Sequence, residues 1–401
     1  MQHVSPNLVD EGARARARKF AVPPAERPSH VVVALSGGVD SAVTAWLLKE
    51  AGHEVTGVSL RLAPETPETP QAAQGRCCSV DDLTDARQLC DALDIPFYAV
   101  DARDRFREAV LEPFVAFYRS GLTPIPCLAC NHEVKFGDLY RTARSLGARL
   151  ATGHYARVVD RGGAPTLARP VDHARDQTYY LYGTAPEVVA DLELPLGDLD
   201  KPLVRALAER AGLPVASKPD SQEICFVPDG DHARVVERLG GRPARGRLLH
   251  VDGRLLREHD GVHHFTVGQR RGLGVGVGER VFVLDVDAGS GDVVVGPREA
   301  LGTTRVRVEP LRALVPLAAW PEVVLVQVRA RHRAQPARWR QVDDGALELS
   351  FLDPVDAVAP GQAAVVYDDD VLLGGALITG RLDGAFPRQV RSSPSLPIAA
   401  D

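Results

Sequence analysis

Residues 31–35 (VVVAL) form a short unbroken run of apolar, mostly β-branched side chains, the pattern of a strand buried on both faces, and residues 39–49 have the length and apolar content of a helix. Gly52 supplies a helix C-cap, and residues 54–62 (EVTGVSLRL) read as a second strand that closes a βαβ unit. The alternation continues. Residues 81–93 predict a helix with acids in its first turn, 95–100 a strand, 105–119 and 131–148 helices, and 149–152 a short strand ending at Gly153. Strands alternating with helices predict an α/β fold with a doubly wound parallel sheet, in which ligands bind beyond the carboxyl ends of the strands. Residues 36–41, Leu60 and Gly153 fall at such ends.

Residues 200–212 (DKPLVRALAERAG) begin with an acidic cap and an early proline and finish at glycine, a well-signalled helix. From Pro214 the texture changes: 218–230 is loop-like around Cys225, a helix is expected near 232–239, and strands rich in Gly and Arg follow. Past residue 300 only short strands with turn signals remain (304–308, 323–333, 346–351, 363–367 and 371–378), which predict a small antiparallel β-barrel at the C-terminal end. The expected division is a flexible extension over 1–29, the doubly wound domain over 30–216, a small central domain over 217–298, the barrel over 299–383 and a disordered tail over 384–401. Residues 63–75, rich in Pro, Glu, Thr and Gln, read as a mobile loop.

At 401 residues the chain is too long for one core, and 45 % apolar with 25 % charged residues is ordinary for a soluble protein. No apolar stretch is long enough to span a membrane, and the N-terminus, although it carries Arg14, Arg16, Arg18 and Lys19, has no apolar segment of the kind a secretory signal needs. A net charge of −6 does not suggest a nucleic-acid binder, yet residues 329–340 (RARHRAQPARWR) hold five arginines, one histidine and no acid. That local basic stripe is either a solvated strand face or a docking surface for an anion. Six cysteines are too few for a disulfide-built scaffold, so a reducing, cytoplasmic setting is expected.

Chemistry concentrates in two places. Between the first strand and its helix stands Ser36-Gly37-Gly38, which leaves backbone N–H groups pointing beyond a helix N-terminus, a site that favours an anion. The Ser36 and Ser41 hydroxyls add donors, and Asp40 beside a phosphate makes sense if it orients a metal ion or a donor. The loop matches neither G-x-x-x-x-G-K-[ST] nor G-x-G-x-x-G. SGGVDS instead resembles the signature of the PP-loop (N-type) ATP pyrophosphatases, which resemblance implies an adenine nucleotide alpha hydrolase-like domain that cleaves ATP between its α and β phosphates.

The second place is cysteine. Cys90 sits on the apolar side of its helix and reads as core. Cys127 and Cys130 form a C-x2-C on a stretch whose two prolines suggest a loop or its exit, and Cys225 stands alone. Three uses stay open: a closed zinc site, for which no second ligand pair exists; an iron–sulfur cluster on Cys127, Cys130 and Cys225; or a pair of redox-active thiols, one carrying sulfur as a persulfide and the other forming a transient disulfide.

TPIPCLACNHEVKFGDL (123–139), ATGHYARV (151–158), RDQTYYLY (175–182), SKPDSQEICFVP (217–228), HFTVGQRRGLGVG (264–276) and APGQAAVVY (359–367) follow, in order, the signature blocks of the tRNA-specific 2-thiouridylases, and the similarity covers roughly residues 30–382. The resemblance implies ATP-dependent 2-thiolation of the wobble uridine (U34) of tRNA through adenylation of O2 and sulfur transfer from a cysteine persulfide, giving AMP and pyrophosphate. It implies Cys130 as nucleophile and Cys225 as persulfide carrier. It implies nucleotide contacts at Ala34, Leu35, Ser36, Gly37, Gly38, Val39, Asp40, Ser41, Leu60 and Gly153, with Mg2+. It further implies tRNA contacts at His154, Arg175, Asp176, Gln177, Arg331, His332 and Gln362, a tRNA-binding central domain, substrates such as the tRNAs for Lys, Glu and Gln, and a sulfur donor such as a cysteine desulfurase or relay protein. Two departures stand out: Ile125 replaces the Asn of T-P-N-P, and His332 stands where Tyr is common. Another PP-loop enzyme, such as an amidotransferase-type synthetase or a 4-thiouridine synthase, would explain the glycine loop but not the paired cysteines. A non-enzymatic RNA-binding module would explain the arginines but not the loop.

Overall fold

The computed structural model describes residues 10–62, 80–220, 224–227, 229–343, 345–386 and 388–389. The expected mobile loop at 63–75, Cys77, Cys78 and most of the expected tail lie outside them. The described chain divides into two compact units that are interleaved in sequence: unit 1 draws on 1–106, 131–178 and 184–230, and unit 2 on 107–130, 179–183 and 231–401.

Unit 1 is built on a five-stranded parallel sheet of order β3-β2-β1-β4-β7. The strands are β1 (His30–Ala34), β2 (Glu54–Arg61), β3 (Phe97–Asp101), β4 (Arg149–Thr152) and β7 (Leu192–Glu193), and outside this sheet β5 (Arg157–Arg161) pairs antiparallel with β6 (Ala164–Ala168) in a hairpin. Val31, Val32 and Val33 are all buried, as a central strand covered on both faces requires. The chain leaves β1 toward β2 and β3, then crosses back to place β4 on the other side of β1. The order therefore reverses between β1 and β4, and a crevice opens beyond their carboxyl ends.

The helix Val39–Glu50 after β1 has no side-chain cap at Gly38, a lack that, with glycine at the cap, costs only about 0.3 kcal/mol. Burial of Leu47 and Leu48 at 5 % exposure each contributes roughly 1.5–3 kcal/mol apiece and outweighs it. Packing thus makes this helix and leaves its N-terminus open. Part of the expected flexible extension is ordered: Glu11–Lys19 is a helix capped by Asp10, with Ala13 and Ala17 buried in the core of unit 1 and Arg210 Nη1 donating to the Phe20 carbonyl at 2.6 Å. Its apolar face is only two alanines wide, too slight a signal among so many arginines.

Unit 2 holds two β structures. A four-stranded sheet runs β10-β11-β8-β9, with β8 (Gly246–His250), β9 (Leu255–His259), β10 (Phe282–Asp287) and β11 (Asp292–Gly296). Beyond it β12 (Gly302–Val308), β14 (Val323–Gln327), β15 (Gln335–Asp343), β16 (Ala346–Asp356), β17 (Ala363–Asp368) and β18 (Val371–Arg381) pair antiparallel in the cycle β12-β16-β15-β14-β17-β18, and β18 returns to β12 to close a six-stranded barrel, with the short β13 (Arg312–Ala313) pairing against β18. Its interior is the cluster around Val306, Val326, Leu349, Val366 and Ile378. Among the described residues no helix is long and apolar enough to cross a membrane.

Candidate active site

The glycine loop lies where β1 reverses against β4. Leu35 is still held as strand, its N–H donating to the Val58 carbonyl at 2.8 Å. The chain then turns at Gly37, whose φ of +69° is left-handed; a Cβ there would come within 2.5 Å of the Asp82 carbonyl oxygen. Ser41 folds the loop on itself: its hydroxyl donates to the Gly38 carbonyl at 3.1 Å and accepts from Ser36 N–H at 3.2 Å. Across the crevice Gly153, after β4, abuts the first helical turn so closely that a Cβ would lie 2.8 Å from Ser41 N. The first-turn amides of Val39, Asp40 and Ser41 belong to a helix end with no side-chain cap, which suits an anion. Ala34 ends β1 and Leu60 is the penultimate residue of β2, the strands that support this turn, Leu60 being buried.

The Asp40 carboxylate is held by two distant side chains. Its Oδ1 accepts from Lys201 Nζ at 2.6 Å and from the Tyr155 hydroxyl at 3.0 Å. Lys201, only 6 % exposed, also meets Asp220 Oδ1 at 2.9 Å, and Asp220 pairs further with Arg205 at 2.5 Å and Arg175 at 3.0 Å. Burial alone would raise the Asp220 carboxyl, but Lys201, Arg205 and Arg175 hold it below its ordinary range. Burial and then Asp40 push the Tyr155 phenol far above its ordinary range, so it remains a donor. Lys218 anchors the same stretch by ion pairs to Asp82 at 2.6 Å and Asp85 at 2.5 Å.

Lys201, Tyr155 and Asp220 were not legible as site residues. One signal did exist. A lysine in the first turn of a helix opposes the helix dipole, so Lys201 needed a carboxylate elsewhere.

Three expected tRNA contacts in unit 1 are turned inward. Asp176 accepts from Thr178 N–H at 2.9 Å and ion-pairs with Arg169, and Gln177 Oε1 accepts from Tyr155 N–H at 2.8 Å, so both hold the turn that carries Arg175. His154 pairs with the Thr152 hydroxyl at 2.8 Å, and burial, with Lys135 nearby, keeps its pKa well below the ordinary range, leaving the ring neutral. Cys225 also belongs to unit 1, half-buried in a turn where Val227 N–H donates to the Ile224 carbonyl at 2.8 Å.

In unit 2, Cys127 and Cys130 do not lie on a loop. Pro126 starts a helical turn, Pro126–Ala129, that runs into the π-helical stretch Cys130–Leu139. A proline at the first position fits a helix because its missing N–H would be unpaired there anyway. Cys127 is exposed and Cys130 buried at 8 %. Gln362 tethers the approach to this turn: its Nε2 donates to the Thr123 and Pro124 carbonyls at 3.2 and 3.3 Å, and its Oε1 accepts from Tyr179 at 3.3 Å. Tyr180 is pushed up to about 12 by burial and by Cys127, with Arg331 opposing, which places Cys127 and Arg331 around one phenol.

Arg331 adopts φ +60° in the turn after β14. His332 follows it, half-buried and held neutral by burial and by Arg329. Arg338 and Arg340 are paired with Glu322 and Glu348. Among the described residues, no ion pair engages the exposed Arg329, Arg331 or Arg333.

Three family models match the chain in succession: a tRNA methyl transferase HUP domain over residues 29–229, a tRNA methyl transferase PRC-barrel domain over 235–297 and an aminomethyltransferase beta-barrel domain over 303–378. The tRNA-specific 2-thiouridylase MnmA of Brucella suis is 47 % identical over 349 residues, 85 % of this chain and 87 % of that one. That of Brucella melitensis is 46 % identical over 361 residues, 87 % of this chain and 90 % of that one. Among solved structures, the U34-tRNA thiolase NcsA from Methanococcus maripaludis with its [4Fe-4S] cluster aligns with 58 % of this chain and 72 % of its own at 18 % identity and a TM-score of 0.33, too slight a likeness to add to the assignment. By identity of that degree over that share of its length, the chain belongs to the tRNA-specific 2-thiouridylase family.

Proposed function

We propose that this enzyme, a tRNA-uridine 2-sulfurtransferase by its family, exchanges O2 of the wobble uridine U34 for sulfur at the expense of ATP. The observation that carries the ATP chemistry is the uncapped helix N-terminus at Gly38, set at the reversal of a parallel sheet with Gly153 packed against it. Residues 34–41, Leu60 and Gly153 hold the nucleotide in this reading. Mg2+ accompanies the triphosphate and neutralises its charge; Asp40, the acid of the loop, fits it as a ligand, while Lys201 and Tyr155 fix the orientation of that carboxylate.

Uridine O2 attacks the α-phosphorus and pyrophosphate leaves, which turns a poor leaving oxygen into an adenylate. To reach a closed pocket the base first leaves the anticodon stack. Cys225, charged as a persulfide by a donor such as a cysteine desulfurase or relay protein, delivers its terminal sulfur to C2. The Cys130 thiolate attacks the bridging sulfur, AMP departs with the former O2, and a Cys130–Cys225 disulfide remains, to be reduced by an external thiol before the next turnover. Sulfide released first by Cys130 would balance equally. Arg329, Arg331 and Arg333 serve as phosphate contacts, with Arg175, His154, His332 and Gln362 in positioning roles. The tRNAs for Lys, Glu and Gln are the expected substrates and the cytoplasm the setting.

A second reading is favoured by Cys127 standing one helical turn before Cys130: an iron–sulfur cluster on Cys130 and Cys225, with Cys127 as a further ligand. Anaerobic purification followed by iron and sulfide analysis separates the two. For the main reading, nucleoside mass spectrometry of reacted tRNA is decisive. Cys130→Ser and Cys225→Ser should abolish 2-thiouridine while pyrophosphate release persists, and Asp40→Ala should abolish both; wild-type thiolation by either cysteine variant overturns the assignment.

A further inference from the structure

A second cluster of ligand-type side chains lies in unit 2, away from the cysteines in sequence. Glu237 is on the helix His232–Gly240, and His263 and His264 form the end of the 3-10 turn Val262–His264. The two imidazoles converge on a single oxygen. Nε2 of His263 lies 3.3 Å and Nε2 of His264 3.7 Å from Glu237 Oε1, and all three ligand atoms lie within 4.8 Å of one another.

The surrounding contacts set this geometry. Arg242 Nε donates to the other carboxylate oxygen, Glu237 Oε2, at 3.0 Å, which decides the oxygen turned to the histidines. His232 Nε2 stands 3.0 Å from the His263 carbonyl and its ring stacks on Tyr118 with centroids 4.5 Å apart, so the turn is fixed to the helix through its backbone. His263 is fully buried, whereas His264 retains 40 % side-chain exposure, leaving one side open to solvent.

Two explanations compete. Hydrogen bonds from imidazole N–H to a carboxylate settle at about 2.7–3.0 Å, and both distances are longer. An ion bound tetrahedrally at about 2.0–2.1 Å holds its ligand atoms roughly 3.4 Å apart, between the two distances seen. Imidazole with carboxylate is a donor set suited to Zn2+. We infer that Glu237, His263 and His264 bind one Zn2+ ion, with water in the fourth, solvent-facing position. The ion would rivet the turn to the helix immediately before the glycine- and arginine-rich segment that lines a cavity of about 640 Å³ with Arg270, Arg280 and Glu279. This site is independent of the sulfur-transfer reading.

The test uses the full-length chain, stripped with a chelator and titrated with Co2+, then with Zn2+ in competition. A nitrogen and oxygen site gives visible d–d bands without the sulfur-to-cobalt charge-transfer absorption that cysteine ligands add, so binding at the thiols reads separately. The expected result is one equivalent of sulfur-free Co2+ displaced by Zn2+, with affinity lowered at least tenfold in both His264→Ala and Glu237→Gln. Both changes are at groups with solvent access, and circular dichroism confirms that the variants fold. Absence of a sulfur-free cobalt spectrum in the wild type, or the same affinity in both variants, overturns the assignment.

Discussion

Lys201 shows how much of this site depends on one side chain. It is nearly excluded from water, and its ammonium lies between Asp40 at 2.6 Å and Asp220 at 2.9 Å. Removing a buried charge leaves its partners uncompensated, a loss of about 3 kcal/mol where the pair is well shielded. Lys201→Met should therefore lower the unfolding free energy of the full chain, read from urea denaturation, by about that amount and weaken ATP-dependent pyrophosphate release, because Asp40 loses its orientation. Adding Asp220→Asn should restore part of the stability but not the activity; full additivity of the two changes would show that the residues do not interact. The sequence exposed Ser36, Gly37, Gly38, Asp40 and Ser41 because they are consecutive and chemically unusual together. It hid Tyr155 and Lys201, which reach Asp40 across 115 and 161 residues of chain, since such a meeting depends on the sheet order and on no local pattern.

At the scale of elements, legibility followed periodicity. The helix after β1 and strand β4 were read almost to the residue, because a buried parallel strand and its helix have sharp apolar boundaries. Strand β15 was missed. Its sequence, QPARWRQVD, carries Pro336 and two arginines, yet from Ala337 to Arg340 buried or half-buried positions alternate with the exposed Arg338 and Arg340. The expected strand over 323–333 ends instead at Gln327, which puts Arg329, Arg331 and Arg333 on a turn. The barrel's acid sensitivity follows from β12, β15 and β16 together. Glu348 on β16 is 7 % exposed and lies between Arg305 and Arg340, and the Arg305 hydrogen bond in particular holds its pKa below the ordinary 4.5. A depressed carboxylate stabilises the folded state fully above its unfolded pKa, and that stability is lost as pH falls through the folded value. The thermal midpoint should hold steady above about pH 5 and drop below 4.5, and Glu348→Gln should flatten that drop. An unchanged acid limb in the variant would exclude this group as the cause.

For the whole molecule, the net charge of −6 opposes binding to a polyanion, so affinity for tRNA must come from where the positive charge is left unneutralised. The chain carries 47 basic residues, but many are committed: Arg338 to Glu322, Arg340 and Arg305 to Glu348, Arg307 to Glu309, Arg247 to Asp292. A paired arginine brings its acid to the phosphate with it and gains little. Arg329, Arg331 and Arg333 stand exposed within five residues without a carboxylate partner among the described residues. Each phosphate they neutralise should release counterions, with a slope of log affinity against log salt of about 0.7 to 0.9 per contact. Replacing all three by Gln should thus reduce that slope by about 2, weaken tRNA binding most at low salt, and leave tRNA-independent ATP binding unchanged. Filter binding of unmodified tRNA across a salt series measures it directly. A uniform loss of affinity with the slope intact would mean that the three arginines shape the turn rather than meet phosphate, and the acidic chain would then have to recognise its substrate elsewhere.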